Sequence, residues 1–128
     1  DKGLQAFSKE KLLDEKPEYF LFNGRVGSLS SDRAMKAKVG EKIRLFVGVG
    51  SHIASNFHVI GEIFDNLYAE GALTNPPLNN VQTTVIAPGS AVMIEFTAEA
   101  PGKYLLVDHS LTRSIDKGAL AELIVEKL

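Results

Sequence analysis

The stretch KIRLFVGV, residues 42–49, sets Ile43, Leu45, Val47 and Val49 on one side of an extended chain and Lys42, Arg44 and Phe46 on the other. A period of two is the spacing of a strand that turns one face to a core and leaves the other outside. AVMIEFTA, residues 91–98, repeats the pattern, with Val92, Ile94 and Phe96 against Met93, Glu95 and Thr97. Working outward, strand signals occupy YFLFNG (19–24), MKAKVG (35–40), SNFHVIGEIF (55–64), VQTTVIAPG (81–89), GKYLLVDHS (102–110) and GALAELIVE (118–126). Turn-forming groups such as FNG, KVGE, NPPLNN, APGS and APGK separate them. Many short strands with Gly, Pro and Asn between them predict an all-β fold, a Greek-key β-sandwich. SKEKLLDEKPEY (8–19) has a Ser cap and a stop at Pro17, which makes a short helix in a lead-in segment, 1–18, ahead of a single domain, 19–128. SLTRSIDKGA (110–119) has room for one helical turn before the last strand.

Composition narrows the function classes. At 128 residues and 45% hydrophobic content the chain supports one domain with a real core. Fourteen basic residues against 16 acidic ones leave a net charge of −2, with no basic stripe, so the footprint of a nucleic-acid binder is missing. The absence of cysteine excludes disulfides, thiolate catalysis, Cys-ligated zinc and a blue-copper thiolate within this chain. Apolar runs stay below about 8 residues, against the roughly 18 to 20 that a membrane span needs. A chain that starts at Asp1 reads as a processed or cleaved product.

Three histidines are the candidates for chemistry. His52, in the loop GVGSHIASN, reads as an exposed loop residue. His58 stands among Phe57, Val59 and Ile60, so it is expected to be partly buried and hydrogen-bonded, as a core histidine or as a functional one. His109 shares its strand face with Leu105 and Val107 and ends an apolar row, where a structural and a functional role are equally open. No HxH, HExxH or carboxylate cluster accompanies them, so a transition metal here needs ligands from another polypeptide.

Taken together, SNFHVIGEIFD, NNVQTTVIAPGSAVMIEF, PGKYLLVDHS and KGALAELIVE closely resemble the second, C-terminal cupredoxin domain of copper-containing, nitric-oxide-forming nitrite reductases. The resemblance runs from GLQAFSKEKLL to the final strand, and FHVIGEIFD and LVDHS stand in the family's order and separation. It implies a cupredoxin-like sandwich working with an N-terminal cupredoxin domain. That domain carries the type 1 copper and two histidines of a type 2 copper, and the third histidine comes from the second domain of a neighbouring subunit in a trimer. His109 matches that third ligand. His58 matches the histidine that supplies protons to nitrite through a bridging water and a partner aspartate. Ile60 matches the apolar residue that crowds the open copper position, and Thr83 the residue whose hydroxyl orients the His58 ring. By themselves Ile60 reads as core packing and Thr83 as a surface strand residue.

The resemblance further implies a homotrimer, or a trimer of split protomers, in the periplasm. An electron-donor cupredoxin or cytochrome c would feed the partner's type 1 copper for denitrification. The type 1 site is absent from this chain, and Ser110 stands where an electron-transfer domain would carry its copper-binding Cys. The loop GVGSHIASN is shorter than the usual family loop, and ALTNPPLNN carries its own Pro-Pro. The chain therefore reads as half of an enzyme, a cleavage product or a separately encoded part. A non-catalytic trimerisation or interaction module is the alternative. A domain of a small multicopper oxidase fits less well, because the HxH pairs of a trinuclear copper cluster are missing.

Overall fold

The computed structural model describes residues 3–127. Among them the strands are β1 (Met35–Lys38), β2 (Lys42–Gly48), β3 (Ser55–Ile60), β4 (Phe64–Tyr68), β5 (Leu78–Val81), β6 (Thr83–Ile86), β7 (Ala91–Thr97), β8 (Gly102–Asp108) and β9 (Leu120–Glu126). They build one five-stranded sheet in the order β1-β9-β8-β3-β6 and one four-stranded sheet in the order β2-β7-β4-β5. Only β1 with β9 is a parallel pair among the described residues. Apart from β4 to β5 and β8 to β9, every connection passes from one sheet to the other. This is the all-β Greek-key sandwich that the alternation predicts. Phe57, Val59, Ile86, Leu106 and Ala121 from the larger sheet form one core with Phe64, Leu67, Val92, Ile94 and Phe96 from the smaller. The rings of Phe57 and Phe64 stack at 6.3 Å.

Several elements differ from the sequence reading in ways that have local causes. SNFHVIGEIF is two strands, because Gly61 turns the chain at φ 101° and has no Cβ to meet the Tyr104 ring, which would stand 3.1 Å from it. VQTTVIAPG divides at Gln82, where the chain leaves the smaller sheet as β5 and enters the larger as β6. YFLFNG is not a strand. Positive φ at Asn23 and Gly24 bends it, and its aromatic rings are held by side chains. Phe22 meets Phe57 edge-on at 6.1 Å, and the Arg113 guanidinium lies 4.7 Å from the Phe20 ring centre. The two helices, α1 (Lys9–Leu13) and α2 (Leu111–Ile115), fall where the Ser8 cap and SLTRSI place them.

β2 keeps its expected alternation, whereas β7 is buried on both faces from Val92 to Phe96. It runs between β2 and β4, and the turn Ala69–Gly71 packs against it. Glu95 is thereby buried and must be paired. Arg44 donates to its Oε1 from Nε at 2.9 Å, and Asn66 Nδ2 donates to Oε2 at 3.2 Å. These hydrogen bonds, Arg44 first, hold the Glu95 carboxyl below the usual glutamate value.

A carboxyl whose folded pKa is depressed stabilises the fold fully above its unfolded value, and the benefit is lost as pH falls through the folded one. The stability that wild type holds over Glu95→Gln is therefore constant above the ordinary glutamate value of 4.5 and shrinks as pH drops below it. Denaturant unfolding from neutral to acid pH checks this. A difference that acid leaves unchanged would mean that the Glu95 charge contributes nothing.

Candidate functional site

β3 lies between β8 and β6, and its register decides which side chains meet. Phe57 pairs with Asp108, His58 with Val107 and Ile60 with Leu105, while His58 also faces Thr83 on β6. Cross-strand partners share a face, so Phe57, Val59 and Leu106 point into the core. His58, Ile60, Thr83, Val85, Leu105 and Val107 lie on the outer face. His109 continues that row one residue past β8, and its backbone N donates to Asn56 O at 2.7 Å. The rings of His58 and His109 stand 5.3 Å apart, inclined at 73°. His109 and Thr83 are exposed, His58 is half-buried and Ile60 is 42% exposed. The fold thus puts the four residues singled out in the sequence on one surface. His52 is exposed in the loop between β2 and β3.

The His58 ring is held from one side. Its Nδ1 lies 2.6 Å from Gln82 O, and because a carbonyl only accepts, Nδ1 carries the hydrogen. Thr83 Oγ1 is 3.3 Å from the same nitrogen, a longer second acceptor for that hydrogen. Nε2, on the other side of the ring, has no hydrogen-bond partner among the described residues. The family resemblance pointed to Thr83 and not to Gln82, because a backbone carbonyl has no side-chain signature. The signal is the change of sheet at Gln82, where the peptide steps out of the ladder between β5 and β6.

Asp108 was also missed. At the end of β8 it turns inward and is 2% exposed. Its Oδ1 accepts from Ser110 N at 2.9 Å, and its Oδ2 from Ser55 Oγ at 3.1 Å and Arg113 Nη1 at 2.9 Å. Asn56 Nδ2 donates to Ser110 Oγ at 3.0 Å. Ser110 thus has a structural hydrogen bond, and its hydroxyl does not replace a thiolate for blue copper.

Among the described residues no three His, Cys, Asp or Glu side chains gather in a group that could hold a metal ion. One exposed imidazole, His109, with no hydrogen bond to its ring among the described residues, fits a single ligand of a centre completed from outside the chain. No described helix is long and apolar enough to cross a membrane.

No protein-family model matches the chain. It is 51% identical over 126 residues to the copper-containing nitrite reductase of Neisseria gonorrhoeae, a match that covers 97% of this chain and 31% of that protein. Among solved structures, the Cu-containing nitrite reductase of Thermus scotoductus superposes with a TM-score of 0.84 at 29% identity, over 91% of this chain and 27% of that one. The copper nitrite reductase of Nitrosomonas europaea gives 0.82 at 26% identity, over 92% and 43%. The chain spans about a third of the length of the curated relatives it matches.

The two contacts at His58 Nδ1 separate in the variant Thr83→Val, which removes the 3.3 Å contact and leaves the 2.6 Å one. The ring should keep its hydrogen on Nδ1, read from the ¹⁵N shifts of the ring nitrogens at alkaline pH. A move of the hydrogen to Nε2 would show that Thr83, not Gln82, sets the tautomer.

Proposed function

The chain belongs to the copper-containing nitrite reductase family, and we propose that it is the C-terminal cupredoxin domain, residues 19–128 behind a lead-in segment, of an enzyme that reduces nitrite to nitric oxide. The observation that carries this reading is the pair of imidazoles side by side on the outer face of the five-stranded sheet, His109 exposed and His58 fixed at Nδ1. His109 would be the one ligand this chain gives to a type 2 copper, the other two histidines coming from the N-terminal domain of a partner. Copper held by three imidazoles with an open position would supply the electron and the binding point for nitrite.

The reaction takes one electron and two protons per nitrite and yields nitric oxide and water. In this chain His58 is the group suited to proton delivery. With Nδ1 committed to Gln82 O, the proton it exchanges is carried on Nε2, which faces away from the protein contacts. A bridging water and an aspartate of the partner domain would complete the path. Thr83 Oγ1 supports the ring, and Ile60, on the same face and partly exposed, would narrow the space in which nitrite lies. The same reading puts the protein in the periplasm as a homotrimer or a trimer of split protomers. Electrons would reach the partner's type 1 copper from a cupredoxin or a cytochrome c.

Two variants in the protein carrying both domains separate these roles. His109→Ala should empty the type 2 site while the partner's blue absorption stays. His58→Asn should leave copper content unchanged and lower turnover by roughly 10² to 10⁴, the usual contribution of a positioned general acid. Metal analysis, electron paramagnetic resonance and steady-state rates read both. Full type 2 occupancy in His109→Ala would leave the chain as a non-catalytic module of the same fold. Full turnover in His58→Asn would make His58 a satisfied structural histidine.

A further inference from the structure

If His109 is a metal ligand, something must hold it in place, and no hydrogen bond among the described residues holds its ring. We propose that Asp108 and Arg113 are positioning residues for His109, acting through the backbone on both sides of it. The proposal rests on the reading of His109 as a ligand.

The residues flanking His109 converge on one carboxylate. Asp108 Oδ1 accepts from Ser110 N at 2.9 Å, which closes a tight ring over the His109 backbone. The same oxygen takes a longer contact from Asn56 N at 3.4 Å, and His109 N donates back to Asn56 O at 2.7 Å. Oδ2 accepts from Ser55 Oγ at 3.1 Å and from Arg113 Nη1 at 2.9 Å. Arg113 Nη1 also donates to Ala54 O at 2.8 Å, and Ser114 Oγ donates to Asp108 O at 2.6 Å. One carboxylate therefore ties the start of β3, the end of β8 and α2 together around a single exposed imidazole. The pair is set inside the protein, with side-chain exposure of 3% for Asp108 and 23% for Arg113. Phe20 fixes the guanidinium from its other side at 4.7 Å.

A residue just past the end of a strand ordinarily frays, and an imidazole on a fraying backbone is a poor ligand because its ordering must be paid for when metal binds. The Asp108 clamp does that ordering in advance. Asp108 points away from His109 and into the sandwich, so the pair acts without touching the metal. No other described ion pair encloses either histidine; those of Lys11 with Glu18, Arg44 with Glu95 and Lys103 with Glu122 lie on other segments.

The test uses the copper-loaded protein that contains this chain and its partner domain. In Arg113→Ala, copper affinity at the His109-dependent site, measured by competition with a chelator, should fall about 10- to 100-fold, the range for lost ligand-supporting contacts. Hydrogen exchange in peptides spanning His109 should accelerate while peptides from β7 stay protected. Arg113→Lys should recover both, because one ammonium can donate to Asp108 and to Ala54 O as the single Nη1 does. Wild-type affinity and exchange in Arg113→Ala overturn the proposal, and so does exchange that rises equally in β7. Should Arg113→Ala not fold, Asp108→Asn carries the same test. It keeps an oxygen for Ser110 N and loses the charge facing Arg113, and wild-type affinity and exchange there would equally overturn the proposal. If His109→Ala retains its copper, the ligand reading itself fails. If His109→Ala loses copper and the clamp variants keep it, only the positioning role falls.

Discussion

A shift of one residue in the pairing of β3 with β8 would turn Phe57 and Val59 outward and carry His58 and Ile60 into the core. Burial of a Phe or Val side chain is worth roughly 1.5 to 3 kcal/mol each, whereas a typical hydrogen bond contributes about 1 kcal/mol net. The apolar row therefore fixes the register, and the hydrogen bond from His58 to Gln82 follows from it. Phe57 and Val59 are at most 1% exposed, and Leu106 on β8 is buried beside them. The histidines stand at the surface because their neighbours in sequence fill the interior.

From that constraint the chemistry of the surface follows. The two rings come within 5.3 Å because β3 and β8 are adjacent and His109 extends the outward row of β8. Each then receives a different kind of support. His58 is held by the carbonyl of a peptide that is changing sheets, which selects its tautomer and leaves the opposite nitrogen clear. Among the described residues His109 has no such contact to its ring, and its backbone N donates to Asn56 O while Asp108 Oδ1 accepts from Ser110 N beside it. A ring with a defined tautomer suits proton exchange, and an exposed ring on an anchored backbone suits metal ligation. In the proposed enzyme these would be the two tasks of this chain, and the remaining ligands and the electron would come from the partner.

The sandwich was legible where side chains alternate or turns are punctuated. KIRLFVGV read correctly because one face is apolar, whereas SNFHVIGEIF read as one strand and is two, β3 and β4, parted by the turn at Gly61. β7 was half legible: its inward residues were clear, but Met93 and Glu95 looked like a solvent face, since no local signal says that a strand will lie between two others and under the Ala69–Gly71 turn. YFLFNG has strand composition, yet its rings are needed as packing for Phe57 and Arg113, and tertiary contact overrode propensity. The separate candidacy of His58 and His109 was visible in the residues, but their proximity came only with the family resemblance. Gln82 O was invisible because a backbone carbonyl has no side-chain signature, and the Asp108 cluster because Ser55 and Arg113 reach it from separate segments that only the fold brings together.

Anomalous diffraction at the copper edge, from crystals of the protein containing both domains, decides whether the outer face of the five-stranded sheet offers one imidazole to a metal whose other ligands lie outside the chain. A copper peak is expected within bonding distance of the His109 ring, completed by residues that do not belong to this chain, with the His58 ring nearby and unbound. A copper with a full ligand set elsewhere, and His109 facing only solvent, would contradict it.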